Sequence, residues 1–277
     1  MKLGYSKLAM EAVPIATAIR HIADIGYEGI ELDVDSCVKT GWIAILLKEH
    51  NLRLVSIGIY PEVGDDPYSQ SICQLKKSIN FAAELAQDGE PPPVNIGLAE
   101  IFGIEFNIKA QEEPELWASK KHFFAERIGV LTDYAEKKGV FVAIDPGTFL
   151  IMKTPDEVLE LLELVDSSHL KVNFHTNGSD AQTVSKLIPV SVHAHVYDMF
   201  RLSELSSPWM SSNTDDGYIS ESADFLKTMQ AHGYNGFITA SVSSLLCCRQ
   251  GYDPLAAAKF SYEHLSRAFE KSGVGRS

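Results

Sequence analysis

The segment VFVAID, Val140-Phe141-Val142-Ala143-Ile144-Asp145, is a short apolar run that ends in a carboxylate. It gives the clearest indication of the fold class. It follows a helical pattern over Glu115–Lys138 that stops at Gly139. A second helical pattern begins at Thr154-Pro155-Asp156-Glu157, with a threonine N-cap, a proline at the first helical position and a glutamate that completes a capping box. Continuous apolar runs of this kind are typical of parallel strands that are buried on both faces. The segment therefore predicts a helix–strand–helix unit of an α/β fold.

The same alternation of a short apolar run and a longer amphipathic stretch extends over the whole chain. The predicted strands are Lys2–Ser6, Gly29–Val34, Leu52–Ile59, Val94–Ala99, Val140–Asp145, Leu170–His175, Ser191–Val196 and Phe237–Val242. The predicted helices are Val13–Ile25, Gly41–Glu49, Ser69–Ala86, Glu115–Lys138, Pro155–Val165, Ala181–Leu187, Glu221–His232 and Leu255–Ser272. Eight such units without a linker-like change in composition predict one closed (β/α)8 TIM barrel, a single α/β domain over residues 1–277. A doubly wound open sheet is the alternative, although no glycine-rich nucleotide-binding motif follows the first strand.

Composition and charge limit the classes of molecule that we expect the protein to bind. The 277 residues carry a net charge of −13, which argues against nucleic acid because phosphate backbones require clustered lysine and arginine. A small anionic substrate is still compatible with this charge. The sequence has no apolar signal core at its start and no run of about 18 apolar residues, so we expect a cytoplasmic protein without a membrane partner.

Polar side chains gather where the predicted strands end. Because the strands of a TIM barrel all end at one mouth, we expect the chemistry of the protein there. The candidate residues are Glu31 on strand two, Glu100 after strand four, Asp145 on strand five, His175 on strand six, His193 and His195 on strand seven, and Ser241 on strand eight. A carboxylate inside an apolar strand, such as that of Glu31, needs a partner. Asp145 precedes Pro146-Gly147, so a strand-terminating turn explains it equally well.

His193-Ala194-His195 is the most specific of these features. The period of two along a strand directs both imidazoles to the same side, into the barrel. A single inward histidine is typically a hydrogen-bonded core residue, but two on one strand and His175 on the preceding strand favour a site. Imidazoles together with a carboxylate suit Zn²⁺, Mn²⁺ or Fe²⁺.

The order and spacing of several short motifs resemble the xylose isomerase-like TIM-barrel superfamily, in particular its sugar phosphate isomerase/epimerase and endonuclease IV-like members. Residues 22–32 (IADIGYEGIEL) are similar to the family's segment that leads into strand two, and Val142–Pro146 is similar to its strand-five segment. His193-Ala194-His195 is similar to the strand-seven H-x-H, and Gly233-Tyr234-Asn235-Gly236 to the G-Y-x-G before strand eight. The resemblance covers nearly the whole chain.

The resemblance implies a divalent metal held by a glutamate, an aspartate, the second histidine of H-x-H and a second glutamate. By position these ligands fall on Asp145, His175, His195 and Ser241, and only His195 is unchanged. In ketose 3-epimerases of the family both glutamates also move the proton, and serine cannot replace such a base unaided. Asp145, His175 and His195 still form a two-histidine, one-carboxylate set. This set is compatible with a bound divalent metal (Mn²⁺, Zn²⁺, Co²⁺ or Fe²⁺) and equally with a site that has lost its metal.

Two residues after strand seven extend the resemblance. Arg201 lies six residues after His195, at the offset of the substrate-binding arginine of ketose 3-epimerases, and a guanidinium suits hydroxyl pairs, carboxylates and phosphates. Asp198 is similar to the acidic residue of the family's H-x-K-D loops. We expect both in substrate binding, with a surface-loop arginine as the alternative for Arg201.

Three functions follow from these features. The first is an isomerase or epimerase of a keto-sugar, inosose or related small polyhydroxy carbonyl compound, in which Asp145 or a histidine moves the α-proton. The second is a lyase, dehydratase or decarboxylase on the same scaffold, and the third is a metal-free binding protein without turnover. An endonuclease ranks last, because too few ligands remain and the chain is acidic. The resemblance also makes a homodimer one expected oligomeric state.

Overall fold

Eight parallel strands close into a barrel in the order in which they follow along the chain. The computed structural model describes residues 1–33, 39–58, 67–97, 115–146, 152, 154–175, 181–197, 216–242, 247–248 and 250–276. The strands are β1 (Lys2–Ser6), β2 (Gly29–Asp33), β3 (Arg53–Gly58), β4 (Val94–Gly97), β5 (Val142–Asp145), β6 (Leu170–His175), β7 (Ser191–Tyr197) and β8 (Phe237–Ser241). Pairing of β1 with β8 completes the ring, so the prediction of a (β/α)8 barrel is confirmed and the open-sheet alternative is wrong.

Helices alternate with the strands. Within the described ranges they are α1 (Ile15–Ile25), α2 (Thr40–Glu49), α3 (Pro67–Glu84), α4 (Leu116–Glu136), α5 (Pro155–Val165), α6 (Ala181–Leu187), α7 (Asp216–Ala231) and α8 (Pro254–Ser272). Apolar side chains of helices and strands form one buried core that includes Ile19 and Ile22 of α1, Ile128 of α4 and Ile30 of β2. None of the helices in these ranges has the length and apolar character needed to cross a membrane.

The predicted helix boundaries have the expected local chemistry. Gly26 ends α1 with φ of 111°, in the left-handed region that favours glycine, and its amide hydrogen-bonds to carbonyls of the last helical turn. Thr154 accepts a hydrogen bond from the Glu157 amide while the Glu157 carboxylate accepts one from the Thr154 amide, which confirms the capping box. The end of α1 and the start of α5 are therefore fixed by local interactions of their own residues.

The prediction placed some boundaries wrongly. α7 begins at Asp216, five positions before the predicted Glu221, because Gly217 in its first turn is a weak helix former and masks the start of the helix in the sequence. β5 begins at Val142 instead of Val140, since the apolar run includes residues that precede the first paired position. Such shifts are usual where an element frays, and they leave the strand ends that carry the candidate residues in place.

Register brings the polar residues of neighbouring strands into common layers. Ser6 of β1 pairs with Glu31 of β2, and Glu31 pairs with Ser56 of β3. On the other side of the ring, His175 of β6 pairs with His195 of β7. The register shifts between Ile30 and Glu31, and again between Val172 and Asn173. Both irregularities lie where a polar side chain replaces the apolar pattern of its strand, and bulges of this kind can redirect a side chain.

Candidate active site

Asp145, His175 and His195 form a cluster at the carboxyl ends of β5, β6 and β7, which we call the mouth triad. The His175 Nε2 atom lies 2.6 Å from Asp145 Oδ2, and His195 Nδ1 lies 3.3 Å from His175 Nε2. The side chains of Asp145 and His175 are 22% and 11% exposed, whereas that of His195 is 4% exposed. The triad therefore spans the boundary between the barrel interior and its mouth.

Glu31 is the centre of a second cluster deeper in the barrel, which we call the interior cluster and which also contains Ser6, Ser56, Asn95 and His193. The Glu31 carboxylate is completely buried and accepts hydrogen bonds from Ser6 Oγ at 2.6 Å, Ser56 Oγ at 2.5 Å and Asn95 Nδ2 at 2.7 Å. His195 Nε2 supplies a fourth donor at 2.9 Å. A buried carboxylate with four donors is stabilised in its ionised form, so the Glu31 carboxylate is satisfied, whereas Asn95 Oδ1 is buried without a hydrogen-bond partner among the described residues.

His195 of the mouth triad contacts the interior cluster as well, because its two ring nitrogens face in opposite directions. An ionised carboxylate only accepts hydrogen bonds, so Nε2 of His195 carries the proton that it donates to Glu31. The other nitrogen, Nδ1, faces His175 Nε2 and the Asn173 amide nitrogen, which lies 3.2 Å away. In the neutral imidazole Nδ1 is an acceptor, and because His175 Nε2–H is directed at the Asp145 carboxylate, the Asn173 amide is the donor to it.

The electrostatics of the interior cluster follow from burial and charge. Burial alone raises the pKa of Glu31, but the charge and hydrogen bond of His195, the charge of His193 and the Ser56 hydroxyl lower it well below its ordinary value. Burial lowers the pKa of His195, yet the charge and hydrogen bond of Glu31 and the charge of Asp145 outweigh burial and raise it. Burial and the charge of His195 lower the pKa of His193 to about 3, against the opposing charge of Glu31. His193 is therefore neutral at neutral pH.

Comparison with known proteins gives the family. A family model described as "Xylose isomerase-like TIM barrel" matches residues 19–265. The chain belongs to this family. The resemblance inferred from the sequence is thus confirmed, while a comparison of the sequence with curated proteins gives no significant match.

Several solved structures share the barrel. D-allulose 3-epimerase from Methylomonas sp. is 18% identical with a TM-score of 0.66, over 97% of this chain and 98% of that one. The 3-keto-D-glucoside 4-epimerase YcjR from E. coli is 15% identical with a TM-score of 0.68, over 96% and 99%. A xylose isomerase-like TIM barrel protein from Mycobacterium smegmatis in complex with magnesium is 14% identical with a TM-score of 0.62, over 98% and 97%. At these identities the similarity shows the fold.

Among the described residues of this xylose isomerase-like barrel, two sets of side chains have the composition of a metal site. In the mouth triad and in the set of Glu31, His193 and His195, one ligand atom per residue lies within 4.8 Å of the others. The two sets share His195, and the Glu31 oxygens already accept from hydroxyl and amide donors. The mouth triad fits a divalent ion better, because two imidazoles and a partly exposed carboxylate converge there and leave positions open for substrate.

The structure brings together most of the site residues predicted from the sequence. Asp145, His175 and His195 converge at the mouth. Glu31 and His193 are buried in the interior cluster, and their predicted role in substrate binding stays a prediction. Ser241 is buried at the end of β8, in register with Tyr197. Arg201, Asp198 and Glu100 lie outside the described residues and stay predictions.

Sequence reasoning missed four polar residues that complete the two clusters: Ser6, Ser56, Asn95 and Asn173. Each is a small polar side chain inside an otherwise apolar strand, and each is buried. Their signal is the period of two, since Asn173 and His175 alternate on β6 as His193 and His195 do on β7. A search for polar residues at the inward positions of every strand would have found them.

Proposed function

We propose that the chain is an isomerase or epimerase that acts by proton transfer on a keto-sugar, an inosose or a related polyhydroxy carbonyl compound. The observation that carries the proposal is the mouth triad, in which Asp145 Oδ2 lies 2.6 Å from His175 Nε2 and His195 Nδ1 lies 3.3 Å from the same nitrogen. Membership of the xylose isomerase-like family and the barrel shared with two sugar epimerases support it.

The proposed proton transfer uses the partly exposed carboxylate. In isomerisation, Asp145 takes the proton from the carbon next to the carbonyl and returns it to the former carbonyl carbon, while the proton of the neighbouring hydroxyl moves to the carbonyl oxygen. Epimerisation requires in addition a proton donor on the opposite face of the same carbon, because return of the proton from Asp145 alone restores the substrate. His175 donates to Asp145 at 2.6 Å, which holds the carboxylate in one orientation. Asp145, His175 and His195 would hold a divalent metal, which when bound supplies a Lewis acid for the substrate carbonyl.

Ser241 favours a second candidate. The end of β8 carries a buried serine where the family resemblance implies a second carboxylate base. A lyase or dehydratase needs only one base and one electrophile, so this substitution is compatible with elimination. Proton exchange at the α-carbon separates the two activities, because an isomerase exchanges the proton without loss of substrate mass.

The first test measures metal. Protein purified without chelator is expected to bind about one Mn²⁺, Co²⁺ or Zn²⁺ per chain, and His195→Ala is expected to lose this binding with its circular dichroism unchanged. The matched control is His232→Ala, which removes an exposed histidine from the end of α7 and should bind like wild type. Less than about 0.2 metal per chain, without recovery on adding the three ions, would reject the metalloenzyme.

The second test follows the proton. Wild-type protein loaded with metal is incubated in D₂O with a panel of ketopentoses, ketohexoses and inososes, and deuterium at the α-carbon is followed by mass spectrometry and NMR. Incorporation of one deuterium with substrate or an isomer recovered supports the isomerase. Loss of water or of carbon dioxide supports the lyase, and an absence of both reactions across the panel contradicts the proposed chemistry.

A further inference from the structure

Glu31 occupies an unusual place in the barrel, because it is the fully buried carboxylate in contact with a residue of the mouth triad. Its Oε2 atom lies 2.9 Å from His195 Nε2, on the side of the ring that faces away from His175. The side chain has no exposed surface, which keeps it from touching substrate. Any effect that Glu31 has on the reaction must therefore pass through His195.

The donors around Glu31 fix the direction of its charge. Ser6 from β1, Ser56 from β3 and Asn95 from β4 approach the carboxylate from three strands, at 2.5 to 2.7 Å. His193 lies 3.2 Å from Ser56 Oγ, and because the Ser56 proton points to Glu31, His193 Nε2–H donates to that oxygen. The Glu31 carboxylate is thereby held beneath His195 by direct donors from β1, β3 and β4, and indirectly, through Ser56, by His193 of β7.

We propose that Glu31 is a positioning residue that fixes His195 in the tautomer with Nε2 protonated and Nδ1 directed at the mouth. A neutral imidazole has one donor and one acceptor nitrogen, so an acceptor-only partner at Nε2 decides which nitrogen is left for the mouth. The Nδ1 atom then accepts a hydrogen bond from Asn173 in the metal-free protein, and its lone pair is the one available to a metal. The use of Nδ1 as a ligand rests on the proposed function, whereas the tautomer does not.

The same geometry explains why the interior cluster contains so many small polar residues. A single hydrogen bond from His195 would leave Glu31 rotating among several orientations, and a rotated carboxylate would no longer accept from Nε2. The donors from β1, β3 and β4 remove that freedom. In metal sites a carboxylate behind a histidine ligand typically changes metal affinity by about 10- to 100-fold when it is removed.

The decisive experiment reads the His195 tautomer directly in the metal-free protein. Long-range ¹H–¹⁵N correlation spectra of ¹⁵N-histidine-labelled chain are recorded at increasing pH until the His195 ¹⁵N shifts are those of a neutral ring, because Glu31 raises the pKa of this imidazole, and His195→Gln identifies the signal. We expect a protonated Nε2 and an unprotonated Nδ1. A protonated Nδ1 in the wild type would overturn the proposal without any variant of Glu31.

Glu31→Gln then tests the cause. The amide keeps the size of the side chain but removes the charge and places N–H groups among existing donors, so we expect a mixture of His195 tautomers and a 10- to 100-fold loss of Co²⁺ affinity at unchanged stoichiometry. The matched control is Glu28→Gln, which removes a carboxylate that accepts from Leu3 and Arg276 just before β2 and should change neither reading. A merely structural role of Glu31 would lower stability without shifting the tautomer, and that result contradicts the proposal.

Two further comparisons distinguish failure of the positioning role from a variant that does not fold and from a protein that binds no metal. If Glu31→Gln does not fold, Ser56→Ala removes one donor and keeps the carboxylate, and a smaller tautomer shift in the same direction is expected. If the wild type binds no metal, the proposed metal site fails, but a protonated Nε2 that is lost in the Glu31 variant still supports the positioning role. An unchanged tautomer in both variants contradicts it whatever the metal result.

Discussion

Glu31 and Asp145 are two carboxylates that flank one histidine and differ in depth. Glu31 has no exposed surface and four hydrogen-bond donors, including His195 Nε2. Asp145 is 22% exposed and pairs with His175 at 2.6 Å. The difference shows how the barrel separates its tasks: a carboxylate that is sealed and satisfied holds a neighbour in place, whereas one at the mouth stays available for protons, metal and substrate.

The physical reason for this division is the cost of removing charge from water. A buried carboxylate is stable only with enough donors, and once it has them they oppose both protonation and ligand exchange. Asp145 is 22% exposed and so keeps part of its solvation, which lowers the cost of rearrangement when a substrate arrives. The predictions below test whether stability and chemistry are divided between the two residues in this way.

The largest expected effect is on folding. Glu31→Ala leaves Ser6, Ser56, Asn95 and His195 without their shared acceptor, so we expect the free energy of unfolding to fall by about 3–5 kcal/mol. Asp145→Ala should lower it by less than about 1 kcal/mol, since its partner His175 can turn to water at the mouth. Urea unfolding followed by circular dichroism measures both. Equal losses would show that depth does not separate the two carboxylates.

The converse effect is on chemistry. Asp145→Asn keeps the shape of the side chain but removes the base, so α-proton exchange on an active substrate should fall by about 100-fold or more, with the melting temperature nearly unchanged. Asp133→Asn, on the exposed face of α4, serves as the control and should exchange like wild type. Retained exchange in the Asp145 variant would place the base elsewhere.

A histidine far from both carboxylates sharpens the contrast. Burial lowers the pKa of His264 on α8 to about 4, below its usual 6.5, and its Nε2 lies 3.0 Å from Ser222 Oγ. The unfolded chain binds this proton first, so its stabilising effect is complete above pH 6.5 and is lost as the pH falls towards 4. Between pH 7.5 and 5.5 we expect wild type to lose about 1 kcal/mol more than His264→Gln. Urea titrations at both pH values measure this, and parallel losses would contradict it.

The sequence predicted the ring of strands and the mouth triad for identifiable reasons. Apolar runs and helix ends such as Gly26 and Thr154 act locally, and the barrel rule brings strand ends together without any knowledge of contacts. The need of Glu31 for a partner was also evident, but which residues would supply it was not. That depends on the register of β1, β2 and β3, which shifts at Glu31 itself. A single serine or asparagine in a strand does not show which residue it contacts until the barrel is closed.

The smallest expected effect is on the stability of α5, the helix that follows the strand of Asp145. Thr154 caps α5, the helix that follows β5, and its hydroxyl accepts from the Glu157 amide at the exposed end of that helix. Thr154→Ala should lower the free energy of unfolding by about 1 kcal/mol, because the amide loses its acceptor. Metal affinity and proton exchange should stay at wild-type values, since Asp145 is positioned by its pairing in β5 and by His175, not by the helix cap. A parallel loss of metal affinity would mean that the end of α5 helps to position the carboxylate, and the division of tasks would then extend beyond the barrel interior.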